Sequence, residues 1–131
     1  MHDIEDFAEA ETVPGLVVYR FDSPLFFANA EYFVTRALAA IAENEPVRWF
    51  VLNAEANVEV DSTALQSLDD FRATLVANGI QFGMARVKQD LYISLKNYGL
   101  IDKIGDDYIY ATLPTAVQAY RDWAAANPRG Q

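Results

Sequence analysis

With 131 residues, 52% of them hydrophobic, the chain is sized for one domain with one core and is not a disordered composition. Its net charge of −9 sets it against phosphate backbones and anionic headgroups, so nucleic-acid partners and an electrostatic hold on lipid are excluded. Cysteine is absent and the one histidine, His2, lies near the chain start, which removes disulfides, thiol nucleophiles, Cys- or His-held metal and Ser-His-Asp chemistry.

Residues 1–13 are acidic (Asp3, Glu5, Asp6, Glu9, Glu11) and read as a tail or linker without a secretory leader's basic start. An intracellular setting is compatible with this. No run of about 18 apolar residues spans a bilayer. "LVVYRF" (16–21), after Pro14-Gly15, reads as a strand, and Leu25-Phe26-Phe27 as a second, shorter one. Ala30, Phe33, Val34, Ala37, Leu38 and Ile41 recur at helical spacing, with Asn29 as cap, Glu31 at the positive end and Pro46 beyond the stop. "VRWFVLN" (47–53) is a strand. Leu65, Leu68, Phe71, Leu75 and Val76 make the next helical stripe, with Gly79 as a left-handed stop. "IQFGMARV" (80–87) is a strand; Leu91, Leu95 and Tyr98 form a stripe stopped by Gly99. "DYIYA" (107–111) is the last strand, and Ala116, Val117, Tyr120, Trp123 and Ala124 mark a helix opened by a Thr115–Gln118 capping box and ended by Asn127-Pro128. Strands alternating with helices, and strands apolar along their whole length, predict an α/β layer fold with a largely parallel sheet over 14–127, followed by a tail, 128–131.

"DST" (61–63) is the first candidate site. Thr63 with Gln66 matches a capping box, which suffices to explain it. The same geometry, a helix start at the carboxyl edge of a parallel sheet, suits an anion, and a phosphoryl group on Thr63 or Ser62 would meet the positive helix end. Arg86 and Lys88 close a strand that a doubly wound sheet would set beside the one preceding "DST". Asp61, Ser62, Thr63, Arg86 and Lys88 are therefore the candidates for a small anion or nucleotide pocket, against the alternative of ordinary solvated charges. Neither G-x-x-x-x-G-K-[ST] nor G-x-G-x-x-G occurs, so a GTP or ATP contact would be atypical and weak. No carboxylates among Glu55, Glu59, Asp61, Asp69, Asp70, Asp106 and Asp107 are fixed as a facing catalytic pair; Asp69 and Asp70 are adjacent on a helix and point apart. Asn53 ends a strand where a receiver domain carries its phospho-accepting aspartate. Trp49-Phe50 and Tyr108–Tyr110 read as core; Tyr92 and Tyr98 as half-buried, with partner contact as the alternative.

"YRFDSPLFFANAEYF" (19–33), "VDSTALQSLDDF" (60–71), "ANGIQFGMARVKQDLYISLKNYGL" (77–100) and "IYATLPTAVQAY" (109–120) resemble the STAS domain (sulfate transporter and anti-sigma factor antagonist) of bacterial SulP anion transporters. The resemblance runs over about residues 14 to 126. It implies a sheet of four or five mostly parallel strands packed by four to five helices. It implies a non-enzymatic regulatory and protein-interaction domain on the cytoplasmic side of the membrane, attached to the membrane-spanning region of a sulfate or other anion transporter. Further partners implied are a regulatory protein and a weakly held nucleotide, with no required cofactor and no metal. In the anti-sigma antagonists, the alternative, the matching loop carries a phosphorylated hydroxyl; here that is Thr63, with Ser62 beside it. Those proteins have Gly next, and this chain has Ala64, a departure that favours the transporter branch.

Overall fold

The computed structural model describes residues 13–22, 27–57 and 59–128. Four strands, β1 (Leu16–Arg20), β2 (Trp49–Asn53), β3 (Gln81–Ala85) and β4 (Ile109–Tyr110), form one sheet in the order β1-β2-β3-β4 with every pairing parallel. Five helices pack on it: α1 (Phe27–Glu43), α2 (Ser62–Ala77), α3 (Gln89–Tyr98), α4 (Leu100–Ile104) and α5 (Leu113–Ala126). Because each crossover advances the sheet by one strand in one direction, right-handed connections put α1, α2 and the α3–α4 pair on a single face. The sheet is thus wound one way: β3 does lie beside β2, as the reading of Arg86 and Lys88 supposes, but without a doubly wound arrangement, and no reversal of strand order opens a crevice.

Side-chain alternation sorts the strands into two cores. Val17, Tyr19, Phe50, Leu52, Phe82 and Met84 face the four-helix layer, where Phe71 of α2 meets Phe33, Phe50 and Phe82 edge-on at 5.6, 5.2 and 6.2 Å. Leu16, Val18, Trp49, Val51 and Ala85 face α5, where Trp49 packs on Tyr108, Tyr120 and Trp123. Burying both faces is why these strands lack a polar alternation.

Helix boundaries depart from the sequence reading at several points. α1 already includes Phe27, so Asn29 lies inside the helix rather than capping it, and Glu31 lies past the first turn. A strand at Leu25-Phe26 falls outside the described residues, and Phe27 is helical. α5 is capped by Thr112, whose hydroxyl accepts from the Thr115 amide at 3.1 Å, with Pro114 in the first turn; the Thr115–Gln118 capping box is not formed. The strand expected over 107–111 shortens to two residues, because Asp106–Tyr108 wind into a 3₁₀ turn. Gly79 and Gly99 do take positive φ, 76° and 92°, ending α2 and α3 as left-handed stops. Beyond Gly99 the chain re-enters helix as α4, which buries Leu100, Ile101 and Ile104.

Candidate functional site

α2 starts at the carboxyl side of the sheet, after the loop that leaves β2. Its cap is Asp61, held extended at φ −98°, ψ 170°, with Oδ1 accepting from the Ala64 amide at 2.8 Å. The capping box assigned to Thr63 and Gln66 is therefore not formed. Asp61, two positions earlier than Thr63, supplies the acceptor, and its negative charge complements the helix start. Gln66 turns outward, donating to Asp70 at 3.0 Å and accepting from the Tyr98 hydroxyl at 2.6 Å. Ser62 and Thr63 are both exposed in the first turn of α2, and Thr63 is released from any capping duty.

Thr63 opens onto a groove between α1 and α2, about 590 Å³ in volume, whose other α2 residues are Ser67, Asp70, Phe71 and Thr74. α1 contributes Ala30, Glu31, Val34 and Leu38. Leu38 and Thr74 also line a second hollow of about 420 Å³ toward the far ends of both helices, where Glu45 stands. Among the described residues, every charged one lining the two hollows is a carboxylate: Glu31, Asp70 and Glu45.

Arg86 and Lys88 are not among the residues lining this groove. Arg86 leaves β3 in the left-handed region at φ 60°, its amide donating to the Tyr110 carbonyl at 3.0 Å. Its guanidinium donates to Glu55 at 3.1 Å, and the second oxygen of that carboxylate accepts from Arg20 at 3.4 Å. Arg20 also pairs with Asp22. One carboxylate after β2 thus joins the ends of β1 and β3, an arrangement that sequence reasoning missed. In the sequence Arg20 is simply one residue of a strand and Glu55 one acid among seven. Lys88 is exposed and stands as the cap residue of α3 without a side-chain capping bond.

Asp69 and Asp70 do point apart: Asp70 reaches the groove, and Asp69 is buried between Arg72 at 2.8 Å and Lys103 of α4 at 2.8 Å. Burial alone would raise the Asp69 pKa, but the hydrogen bonds and charges of Lys103 and Arg72 outweigh it and hold the carboxyl below its ordinary value. Asn53 is buried and accepts from the Glu55 amide at 3.1 Å, which gives it a turn-forming role. Tyr92 and Tyr98 are half-buried, as expected, with Tyr92 donating to Asp106 at 3.2 Å. Among the described residues no group of three His, Asp or Glu side chains is arranged to hold a metal ion.

A four-stranded parallel sheet with four helices on one face, a lone helix on the other and an exposed hydroxyl pair opening α2 defines a class of small α/β domain. The model of the STAS domain family matches residues 7–116, and the chain belongs to that family. It is 62% identical over 122 residues to a probable sulfate transporter of Mycobacterium tuberculosis, a match covering 92% of this chain and 22% of that protein. The chain thus spans about a fifth of that curated relative's length. The structure of a SulP transporter STAS domain from Vibrio cholerae superposes with TM-score 0.74 at 21% identity, covering 95% of each chain. A putative anti-sigma factor antagonist from Thermotoga maritima superposes equally, TM-score 0.74 at 20% identity, covering 92% of this chain and 99% of that one. The fold is thus shared by both branches of the resemblance.

Proposed function

We propose that this chain is the non-catalytic regulatory and protein-interaction domain of a SulP-type sulfate or anion transporter, lying on the cytoplasmic side of the membrane. Its first partner would be the membrane-spanning region of the same polypeptide. The observation that carries this is the 62% identity to a probable sulfate transporter, confined to a fifth of that protein's length. Among the described residues no helix is long and apolar enough to cross a membrane, so transport chemistry would belong to the remainder of such a protein. The test is a blot of the native cell, soluble against membrane fraction, with an antibody to this domain. The expected band is far above 14.7 kDa and in the membrane fraction. A soluble band near 14.7 kDa would overturn the reading.

The second reading is a free-standing antagonist switched by phosphorylation at Thr63 or Ser62. One observation favours it: Asp61 does the capping, so the exposed Thr63 hydroxyl is available to a kinase without loss of the cap. Intact-mass analysis of the protein from its native cell should then find a phosphorylated species; its absence under every growth condition would count against the switch.

Weak GTP or ATP binding at Asp61, Ser62, Thr63, Arg86 and Lys88 is the least supported element. The exposed Lys88 at the start of α3 favours it, whereas Glu55 already occupies Arg86 and Asp61 repels a phosphate at α2. Calorimetric titration decides: affinity lost in an Arg86→Ala, Lys88→Ala variant supports the site, and unchanged affinity removes it.

A further inference from the structure

We infer that the α1–α2 groove is a docking site for a Lys/Arg-rich amphipathic helix of a partner protein. The two hollows share Leu38 and Thr74, so they form one trough along the helix pair. α1, with 17 residues, is about 25 Å long, enough to hold three to four turns of a third helix. The floor is apolar: Phe71, Ile41, Leu75 and Ile80 are buried there, while Leu38 projects into it and is still 41% exposed. A side chain of that size left open on a helix is an anchor point for apolar residues spaced i, i+3/i+4, i+7 on an incoming helix.

Charge then selects the occupant. Glu31 and Asp70 line one hollow of the trough and Glu45 the other, with neither lysine nor arginine among the described lining residues. The nearest basic residue of α1, Arg36, is turned over the Tyr32 ring at 5.9 Å. On a chain of net charge −9, this trough repels acidic or phosphorylated segments and attracts one that flanks its apolar stripe with lysine or arginine. Between the carboxylates, Ser67 and Thr74 supply hydroxyls for the partner's polar edge. The inference does not depend on the transporter reading, because it follows from the trough's shape and charge alone.

The test is a titration of the ¹⁵N-labelled protein with a 16-residue helical peptide of leucines at i, i+3, i+4 and i+7 spacing and lysines elsewhere. A control peptide carries glutamate for lysine. Shifts are expected along Val34, Leu38, Ser67, Asp70 and Thr74, with none from the control. A Glu31→Lys, Asp70→Lys variant should weaken binding at least tenfold, and Leu38→Asn should weaken it severalfold at unchanged salt dependence. Melting curves of both variants establish that they fold. Shifts scattered over the acidic surface, or affinity unchanged in the charge-reversed variant, would overturn the site. So would a dimer in analytical ultracentrifugation that buries the trough against a second copy.

Discussion

Replacing Asp61 by alanine removes the acceptor that holds the Ala64 amide at 2.8 Å, together with a negative charge at the positive end of a 16-residue helix. Loss of such a cap costs about 1 kcal/mol, and loss of the favourable charge about 0.5 kcal/mol more. For a chain of 131 residues, about 1.5 kcal/mol lowers the melting temperature by about 5 °C. Asp61→Asn keeps the acceptor and should recover most of that loss. Thr63→Ala deletes a hydroxyl that is exposed and outside the cap, so it should change stability by less than about 0.5 kcal/mol. Thermal melts followed by far-ultraviolet circular dichroism, with urea unfolding read by tryptophan emission, give both numbers. A Thr63→Ala loss as large as that of Asp61→Ala would refute the assignment and return the cap to Thr63.

Three further outcomes are expected. The Asp69 carboxyl is held below its ordinary pKa of 3.8, so the stability it supplies is present above that value and is lost as pH falls through the lower folded value. Acid unfolding of Asp69→Asn should lack that component, and the variant should be weaker than the parent by about 2 kcal/mol at pH 7. Tyr110 runs the other way. Burial first, then the neighbouring Tyr108 and Asp107, push its hydroxyl up to about 12, so its contribution is complete below pH 10 and disappears as pH rises through 12. Absorbance titration at high pH should show a late-titrating tyrosine near 12 that Tyr110→Phe removes. Gly15 takes φ 88°, and a Cβ there would meet the Tyr120 hydroxyl, which donates to the Pro14 carbonyl at 2.7 Å. Gly15→Ala should therefore cost about 2 to 3 kcal/mol from backbone strain and the broken hydrogen bond, measured by urea unfolding.

The core and layer order were legible because they rest on periodicities that burial enforces. Phe33, Ala37 and Ile41 on α1, and Leu65, Leu68, Phe71 and Leu75 on α2, all lie in the core. Helix starts were misread where two local solutions compete. "DST" offers three possible caps within three residues, and Asp61 prevails because its short carboxylate reaches the Ala64 amide while the chain is still extended. At α5 the same contest places the cap on Thr112 instead of Thr115, since Pro114 suits the first turn and cannot sit deeper in a helix. The surroundings of the candidate pocket were hidden for a different reason. Arg86 carries no local mark of its left-handed backbone, and its partner Glu55 is 31 residues away. The groove was invisible in the same way: Glu31, Leu38 and Asp70 are unremarkable on their own helices and become a site only when α1 lies beside α2.

The strand order bears on what this fold can do with an anion. In an open sheet a ligand crevice forms where the strand order reverses, and here the order advances from β1 to β4 without reversal. The carboxyl edge is spanned by Glu55 between Arg20 and Arg86, so two of the cations nearest a prospective phosphate already have a carboxylate. On the helix face the charged residues lining the α1–α2 trough, among the described residues, are Glu31, Asp70 and Glu45. Glu55 at the carboxyl edge opposes a nucleotide, while Glu31, Asp70 and Glu45 in the trough attract a lysine-rich helix, so carboxylates at two separate places govern the two titrations. GTP and ATP should bind weakly at most, while the cationic peptide binds and loses affinity as salt rises. Tight nucleotide binding together with a peptide indifferent to salt would mean that surface charge is not what selects partners for this domain.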